Sequence, residues 1–290
     1  LIELQKLRAV ALDFGRGQWY PKRMTTTLIA FDLETSGAYP LGAEIVEFAA
    51  VKWRDGSIVD KYQTLLKPSI PMSDFNISIH GITNEMVAHA PVVKEKIKEI
   101  ADFISDGLPL AHHAAFDMGF LAIEFEKYHV PFPTSKVLCT SLLARSLVTG
   151  VPNHKLQTLI RFLGIQQGTA HRALDDSQAC LEVGLHCLTK EGALEDPYRI
   201  FSQVKCSYQW SDFKVLSSTD DTVQTLIKAI QEKLSVNLIY TSNESQEQRR
   251  RINPVGLVRT PEGDFVQAQC LRDHSFKRFY LKKMKNIQLD

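Results

Sequence analysis

The chain has 290 residues, 34 Lys and Arg against 33 Asp and Glu, a net charge of +1 at pH 7 and 44% hydrophobic residues. That is enough apolar material for one large or two modest domains, and no stretch reaches the ~20 apolar residues needed to span a bilayer, so a membrane partner is not expected. The five cysteines, Cys139, Cys180, Cys187, Cys206 and Cys270, are scattered, odd in number and free of CxxC spacing, which excludes a disulfide framework and fits reduced thiols in the cytoplasm.

Residues 1–24 form an N-terminal extension: Leu1 to Val10 is amphipathic, Asp13, Gly15, Gly17 and Pro21 interrupt it, and a natural start at Met24 is the expectation. No long apolar core followed by a small-residue cleavage site marks it as a secretory signal. The pattern then predicts strands over 26–34, 44–54 and 57–66, a short helix after Thr83, a helix over 92–105 with Pro91 at its start, a strand over 108–112, a helix over 116–128 and a strand over 136–139. Helices dominate to Lys190, among them an apolar face of Leu156, Leu159, Ile160 and Leu163 stopped by Gly164. Strands followed by alternating helix and strand indicate an α/β sheet with helices packed against it.

Chemistry gathers at three points along this stretch. In Phe31-Asp32-Leu33-Glu34-Thr35, strand alternation sends both carboxylates to one face and Phe31 and Leu33 to the other. Like charges on a partly buried strand are costly unless a proton or a cation offsets them, and hard divalent ions are the usual remedy. The second point is Asp117, in the first turn of the helix that follows Ala111-His112-His113. The third is His171-Arg172-Ala173-Leu174-Asp175-Asp176, with His171 in a loop and Asp176 near a helix start. Asp175 reads as a cap or first-turn acid favoured by the helix dipole rather than a ligand. A zinc pair at His112 and His113 is disfavoured, because adjacent side chains point apart and no Cys or third His is suitably spaced. Gly37 reads as a turn residue using positive φ. Cys180 and Cys187, seven residues apart on one helix, read as core residues.

Taken together, Asp32/Glu34, Asp117 and His171/Asp176 resemble the three motifs of the DEDDh exonucleases, the group that includes the proofreading subunit of bacterial replicative polymerases, and the resemblance extends over roughly residues 25–190. It includes Ile79-His80-Gly81-Ile82-Thr83, similar to the family's substrate-side loop, and departs at His113, where the family more often carries Asn. The resemblance implies a ribonuclease-H-like mixed sheet with flanking helices and a site for two Mg²⁺ or Mn²⁺ ions. In such sites the ions lie about 4 Å apart, one activating water and the other steadying the leaving oxygen. It further implies that Asp32 touches both ions, that Glu34 and Asp176 complete the first position, and that Asp117 holds the second. His171 is implied as general base, a role suited to an imidazole that ordinarily titrates near pH 6.5. Thr35, Ser36, His80 and His113 are implied as substrate contacts, and the activity as 3′ to 5′ release of 5′-mononucleotides.

Composition shifts near residue 191, and 191–218 reads as a partly structured linker. Thr219-Asp220-Asp221 then starts a helix carrying Val223, Leu226, Ile227 and Ile230, followed by strands over 236–241, 250–260, 264–272 and 276–282, with turns at Pro261-Glu262-Gly263 and Asp273-His274-Ser275. Over about 220–290 the pattern Tyr240, Arg250-x-Ile252-x-Pro254, Leu257, Gly263, Phe265-Val266 and Phe279-x-Leu281-x-Lys283 resembles the WYL domain, which implies a small, mainly β, SH3-like or Sm-like barrel at 219–290. Asp264-Phe265-Val266 stands where Trp-Tyr-Leu would be. Residues 249–290 contain ten Lys and Arg and four Asp and Glu, so the positive charge is concentrated there. Arg249, Arg250, Arg251, Lys277 and Arg278, with Phe276, Phe279 and Tyr280 nearby, are candidates for tracking a phosphate backbone and stacking a base. In the alternative the cations only solubilise the domain and the aromatics fill its core. The combined expectation is a DNA exonuclease acting on single-stranded or frayed ends, with replication or repair proteins as partners. An exoribonuclease and a non-catalytic nucleic-acid sensor are the alternatives.

Overall fold

The strand that carries the first acidic pair, β1 (Leu28–Thr35), lies in the interior of a six-stranded mixed sheet. It pairs antiparallel with β2 (Ile45–Arg54), which pairs antiparallel with β3 (Ser57–Leu65); on its other side β4 (Leu108–Ala111) and β5 (Val137–Cys139) run parallel to it. The far edge is β6 (Ser207–Tyr208), antiparallel to β5. In this computed structural model residues 26–166, 168–241, 246–259 and 263–290 are described. The expected extension at 1–24, with its start at Met24, lies outside them, as do Pro261 and Glu262 of the expected turn.

The helices follow the chain order α1 (Asp74–His80), α2 (Asn84–Val87), α3 (Val93–Ser105), α4 (Ala115–Lys127), α5 (Thr140–Leu147), α6 (Leu156–Leu163), α7 (Ala173–Lys190), α8 (Ile200–Gln203) and α9 (Asp221–Glu232). Alternation along β1 sorts them into layers. Ile29, Phe31 and Leu33 pack with Ile97, Ile100, Met118, Leu121 and Phe125 of α3 and α4. Leu28 and Ala30 pack with Val51, Trp53 and the α7 residues Cys180, Leu181 and Val183. The approach of α7 is close: a Cβ on Gly184 would lie 2.7 Å from Leu110 Cδ2. The α6 helix ends where expected, on a left-handed Gly164 with φ 70°.

Three expectations are corrected. Pro91 precedes the α3 cap, Val92, instead of occupying the first turn. Gly37 is not among the positive-φ glycines; its lack of a side chain serves close packing, since a Cβ there would stand 3.0 Å from Ala43 Cβ. Residues 191–213 are no linker: they contribute β6, and Trp210 and Phe213 are buried among Phe31, Phe125 and Tyr208. Truncating an aromatic in such a position costs roughly 3–5 kcal/mol, so this segment belongs to the nuclease-side core.

Beyond it, Asp220 caps α9 by accepting from the Thr222 and Val223 amides at 2.7 and 3.3 Å. The helix covers one face of a five-stranded antiparallel sheet in the order β10 (Phe276–Tyr280), β9 (Phe265–Cys270), β8 (Glu247–Val258), β7 (Val236–Thr241), β11 (Met284–Leu289). The expected barrel is not closed: β10 and β11, at the two edges of the sheet, are joined by the short turn Leu281–Lys283 and do not pair with each other. β11 was not expected from the sequence, because Met284, Lys285 and Asn286 break the apolar alternation.

The two sheets share a seam. Leu41, from the β1–β2 loop, and Ile123, from α4, join the apolar cluster of α9 and the second sheet. A Cβ on Gly42 would come within 1.9 Å of the Val255 carbonyl oxygen, and one on Gly256 within 2.3 Å of Tyr39 Cβ. Glu126 anchors the connecting chain by accepting from the Val215, Leu216 and Ser217 amides at 2.7, 2.9 and 3.0 Å.

Candidate active site

Cross-strand pairing and two helix starts bring the acids together. Asp32 and Glu34 lie on the α7 side of β1, as strand alternation requires, and Glu34 faces Glu47 across the antiparallel ladder. Asp117 enters from the first turn of α4 and is 2% exposed. Asp176, 6% exposed, comes from the first turn of α7. One oxygen each from Glu34 and Asp176 and a ring nitrogen of His171 lie within 4.8 Å of one another. His171 is exposed, sits in left-handed backbone with φ 59°, and donates its amide to Asp176 Oδ2 at 3.0 Å.

The electrostatics follow from that crowding. Burial, then Asp117, Glu34, Asp176 and Glu47, push the Asp32 carboxyl well above the usual range. Burial, then Asp176 and Glu47, push Glu34 up to about 8, with Arg172 pulling the other way. Asp117 is raised by burial and by Glu34, against the backbone amides of Asp117 and Leu33. Such a cluster is neutralised either by protons or by cations. Carboxylate oxygens with one imidazole are a hard donor set that fits a divalent cation, and among the residues described Glu34, His171 and Asp176 have the spacing to share one.

Around the acids, Ser36 is held in the loop leaving β1: its hydroxyl accepts from the Glu44 amide at 2.9 Å, its amide donates to the Glu44 carbonyl at 2.8 Å, and its carbonyl accepts from the Asn76 side chain. Thr35 donates its hydroxyl to the Gly37 carbonyl at 2.8 Å. His80 is buried at 4% exposure and accepts from the Ile82 amide through Nδ1 at 3.0 Å, and burial pushes its pKa down. Phe75 and Ile79, one turn apart on α1, are exposed. His113 is exposed with φ 65°, a conformation that Asn and His adopt more readily than most residues, so one backbone demand accounts for both residues at this position. His112 is structural: its ring nitrogens contact Thr140 Oγ1 at 2.9 Å and the His154 carbonyl at 3.0 Å, and burial lowers its pKa to about 4. Asp175 is a first-turn acid that accepts from the Thr169 amide at 2.7 Å. All five cysteines are free and buried.

Sequence reasoning missed Glu47, Arg172 and Asn76. Glu47 is 0% exposed; its position opposite Glu34 was hidden because a lone Glu in an apolar strand carries no motif. Asn76 lies on α1, a helix whose seven residues Asp74 to His80 show too short an apolar period to be foreseen.

The basic candidates of the second sheet are dispersed. Register and alternation put Arg249, Arg251, Phe276 and Arg278 on the face turned away from α9, and Lys277 and Phe279 on the other. Phe279 is core, Phe276 is 61% exposed, and Arg278 stacks 4.9 Å from the Phe265 ring centroid. Arg251 pairs with Asp290, Lys277 with Asp273, and Arg250 bonds to Gln248. Among the residues described, no helix is long and apolar enough to cross a membrane.

The exonuclease family profile matches residues 29–183 and the WYL domain profile matches residues 221–289. The PolC-type DNA polymerase III of Bacillus cereus is 36% identical over 153 residues, covering 53% of this chain and 11% of that protein, and that of Bacillus subtilis strain 168 is 37% identical over 154 residues with the same two shares. The chain thus spans about one tenth of the length of these relatives. E. coli exonuclease I in complex with a dA16 oligonucleotide shares the fold, with TM-score 0.54 at 16% identity over 84% of this chain and 55% of that one. The chain is therefore a member of the exonuclease family, a divalent-metal-dependent family of hydrolases of the DnaQ-like group, with a C-terminal WYL domain.

Proposed function

We propose that this protein is a 3′ to 5′ exonuclease that removes 5′-mononucleotides from single-stranded or frayed DNA, using two Mg²⁺ or Mn²⁺ ions, in DNA repair or proofreading. The observation that carries the reading is the convergence of Glu34, Asp176 and His171 within 4.8 Å, beside Asp32 and Asp117 whose ionisation is suppressed. DNA is favoured over RNA because the matched relatives are named DNA polymerases.

In this reading Asp32, Glu34, Asp117 and Asp176 hold the cations, which offset the negative charge of the acids and of the scissile phosphate and so favour in-line attack by water. His171, exposed at the rim of the cluster, takes the proton from the attacking water as general base. The Thr35 and Ser36 backbone, fixed by Glu44 and Asn76, grips the terminal nucleotide. His80 supports that loop from beneath, while the exposed Phe75 and Ile79 of α1 supply apolar surface against the terminal base and His113 contacts the strand. The nuclease unit runs from residue 25 through the Trp210–Phe213 turn and the WYL unit from 219 to 290. Its outward face, with Arg249, Arg251, Arg278 and Phe276, binds nucleic acid or a partner of the repair machinery in the cytoplasm; Arg250 and Lys277 lie on the opposite face by register.

The test is a time course with the full chain on 3′-labelled and 5′-labelled single-stranded DNA and RNA, in Mg²⁺, Mn²⁺ or EDTA, alongside Asp32→Ala. Stepwise 3′ shortening of DNA that requires metal and Asp32 is the expected result. Preferred degradation of RNA would reassign the substrate, and binding without cleavage of any substrate would make the chain a sensor.

A further inference from the structure

We infer that Glu47 and Arg172 form a positioning device that holds His171 in its reactive place; the inference rests on the role of His171 proposed above. Glu47 is a carboxylate with no exposure, across the ladder from Glu34 and close enough to raise the pKa values of both Asp32 and Glu34. Location alone would suggest a fifth metal ligand. Its hydrogen bonds say otherwise. Oε1 accepts from Gln63 Nε2 at 2.7 Å and Arg172 Nη2 at 3.0 Å, while Oε2 accepts from the Ala173 amide at 3.1 Å and Arg172 Nε at 3.4 Å. Four donors occupy the in-plane lone pairs of both oxygens, which leaves none for a cation.

What these donors have in common is the start of α7. Ala173 is the first residue of the helix and Arg172 its cap position, so Glu47 satisfies an orphan helix amide from a neighbouring strand while clamping the preceding side chain with a forked pair. His171 is the next residue upstream. Its ring is exposed and its backbone is left-handed, a conformation disfavoured for a residue with a Cβ. On one side it is tied by its amide to Asp176, whose own amide donates to the Arg172 carbonyl at 3.0 Å. On the other side stands the Arg172 fork. The exposed imidazole is therefore located mainly through its backbone, and the clamp that sets that backbone is bolted to β2. An ion pair with one fully buried partner is a poor device for stability alone, because desolvation of that partner offsets the attraction; it is a good one for fixing a position.

A double-mutant cycle between Glu47 and His171 tests this, with the full chain, a short single-stranded DNA and Mg²⁺, reading kcat and KM separately and following folding by thermal melts. Glu47→Gln is expected to lower kcat about 10–100-fold, the range for residues that orient active-site groups, with KM little changed. His171→Ala is expected to lower kcat about 10²–10⁴-fold. In the His171→Ala background Glu47→Gln is expected to add almost nothing, because its effect passes through the missing ring. If the two losses multiply in full, Glu47 has only a structural role and the inference falls. If His171→Ala leaves kcat unchanged, the catalytic reading of His171 falls first. Should Glu47→Gln not fold, Arg172→Lys, on a side chain one-third exposed, breaks the fork from the outer end and enters the same cycle with the same expectations.

Discussion

The two sheets of this protein treat charge in opposite ways. In the nuclease sheet Asp32, Glu34, Asp117 and Asp176 are crowded and largely withdrawn from water, and the first three are pushed toward the protonated state. In the WYL sheet the charges are spread over the surface and some are paired, as in Arg251–Asp290, Lys277–Asp273, Lys285–Glu247 and Arg259–Asp264. Uncompensated buried charge is destabilising and is tolerated where it performs chemistry, whereas paired surface charge contributes little to stability. The difference supports the proposal that the catalytic work lies in the first sheet, and it can be broken experimentally.

The sharpest test is Asp32→Asn. It keeps the shape and removes the negative charge, and activity is expected to fall by at least about 10⁴-fold, as for other members of a catalytic constellation. In the same variant the metal-free protein is expected to melt at a higher temperature than the parent, because the neutral amide avoids the cost of either ionising or protonating a carboxyl in this crowded site. A loss of activity with a loss of stability would mean that Asp32 is structural and would erase the contrast. Next in size is the boundary between the regions. Trp210→Ala is expected to destabilise the protein by roughly 3–5 kcal/mol in urea unfolding, and a chain cut at residue 190 to lose its fold while one cut at 218 keeps it. A stable chain ending at 190 would return the segment to the status of a linker.

The pH dependence of the metal-free protein is the third test. Glu34, with its pKa pushed up to about 8, and Asp32 and Asp117, also raised, bind protons more tightly folded than unfolded. Stability is therefore greatest below the unfolded carboxylate range and declines as pH rises through it, and the part owed to Glu34 is fully lost above about 8. In EDTA, unfolding free energy is expected to drop on the order of 2 kcal/mol or more between pH 5 and 8.5; saturating Mg²⁺ should flatten the slope. An equal slope with and without the cation would detach the acids from metal binding. The smallest effect belongs to the other sheet: Arg251→Ala is expected to change stability by about 0.2–1 kcal/mol while weakening DNA binding and reducing its salt dependence. Unchanged DNA affinity would leave that face to solvation.

Much of this was legible in the residues. The Asp32-x-Glu34 spacing places both side chains on one strand face whatever the remainder of the chain does, because strand alternation is local. The α6 stop at Gly164 and the α9 cap at Asp220 are likewise set by neighbouring backbone. The misses share a cause. β6 is two residues long, β11 is polar, and Trp210 and Phe213 stand in a segment without period, so each acquires its state only from a partner distant in sequence.

By itself, then, the sequence determined the local elements, the five candidate catalytic residues and the division into an acidic nuclease part and a basic tail, since these depend on residue type and short-range periodicity. Tertiary structure alone decided that Glu47 lies across from Glu34 and clasps Arg172, 125 residues away, that residues 191–213 complete the nuclease core, and that Gly42 and Gly256 let the two sheets meet. Burial and hydrogen-bond saturation are properties of the assembled chain: a carboxylate becomes a ligand or a clamp according to what the fold brings to its oxygens, and no spacing along the sequence carries that information.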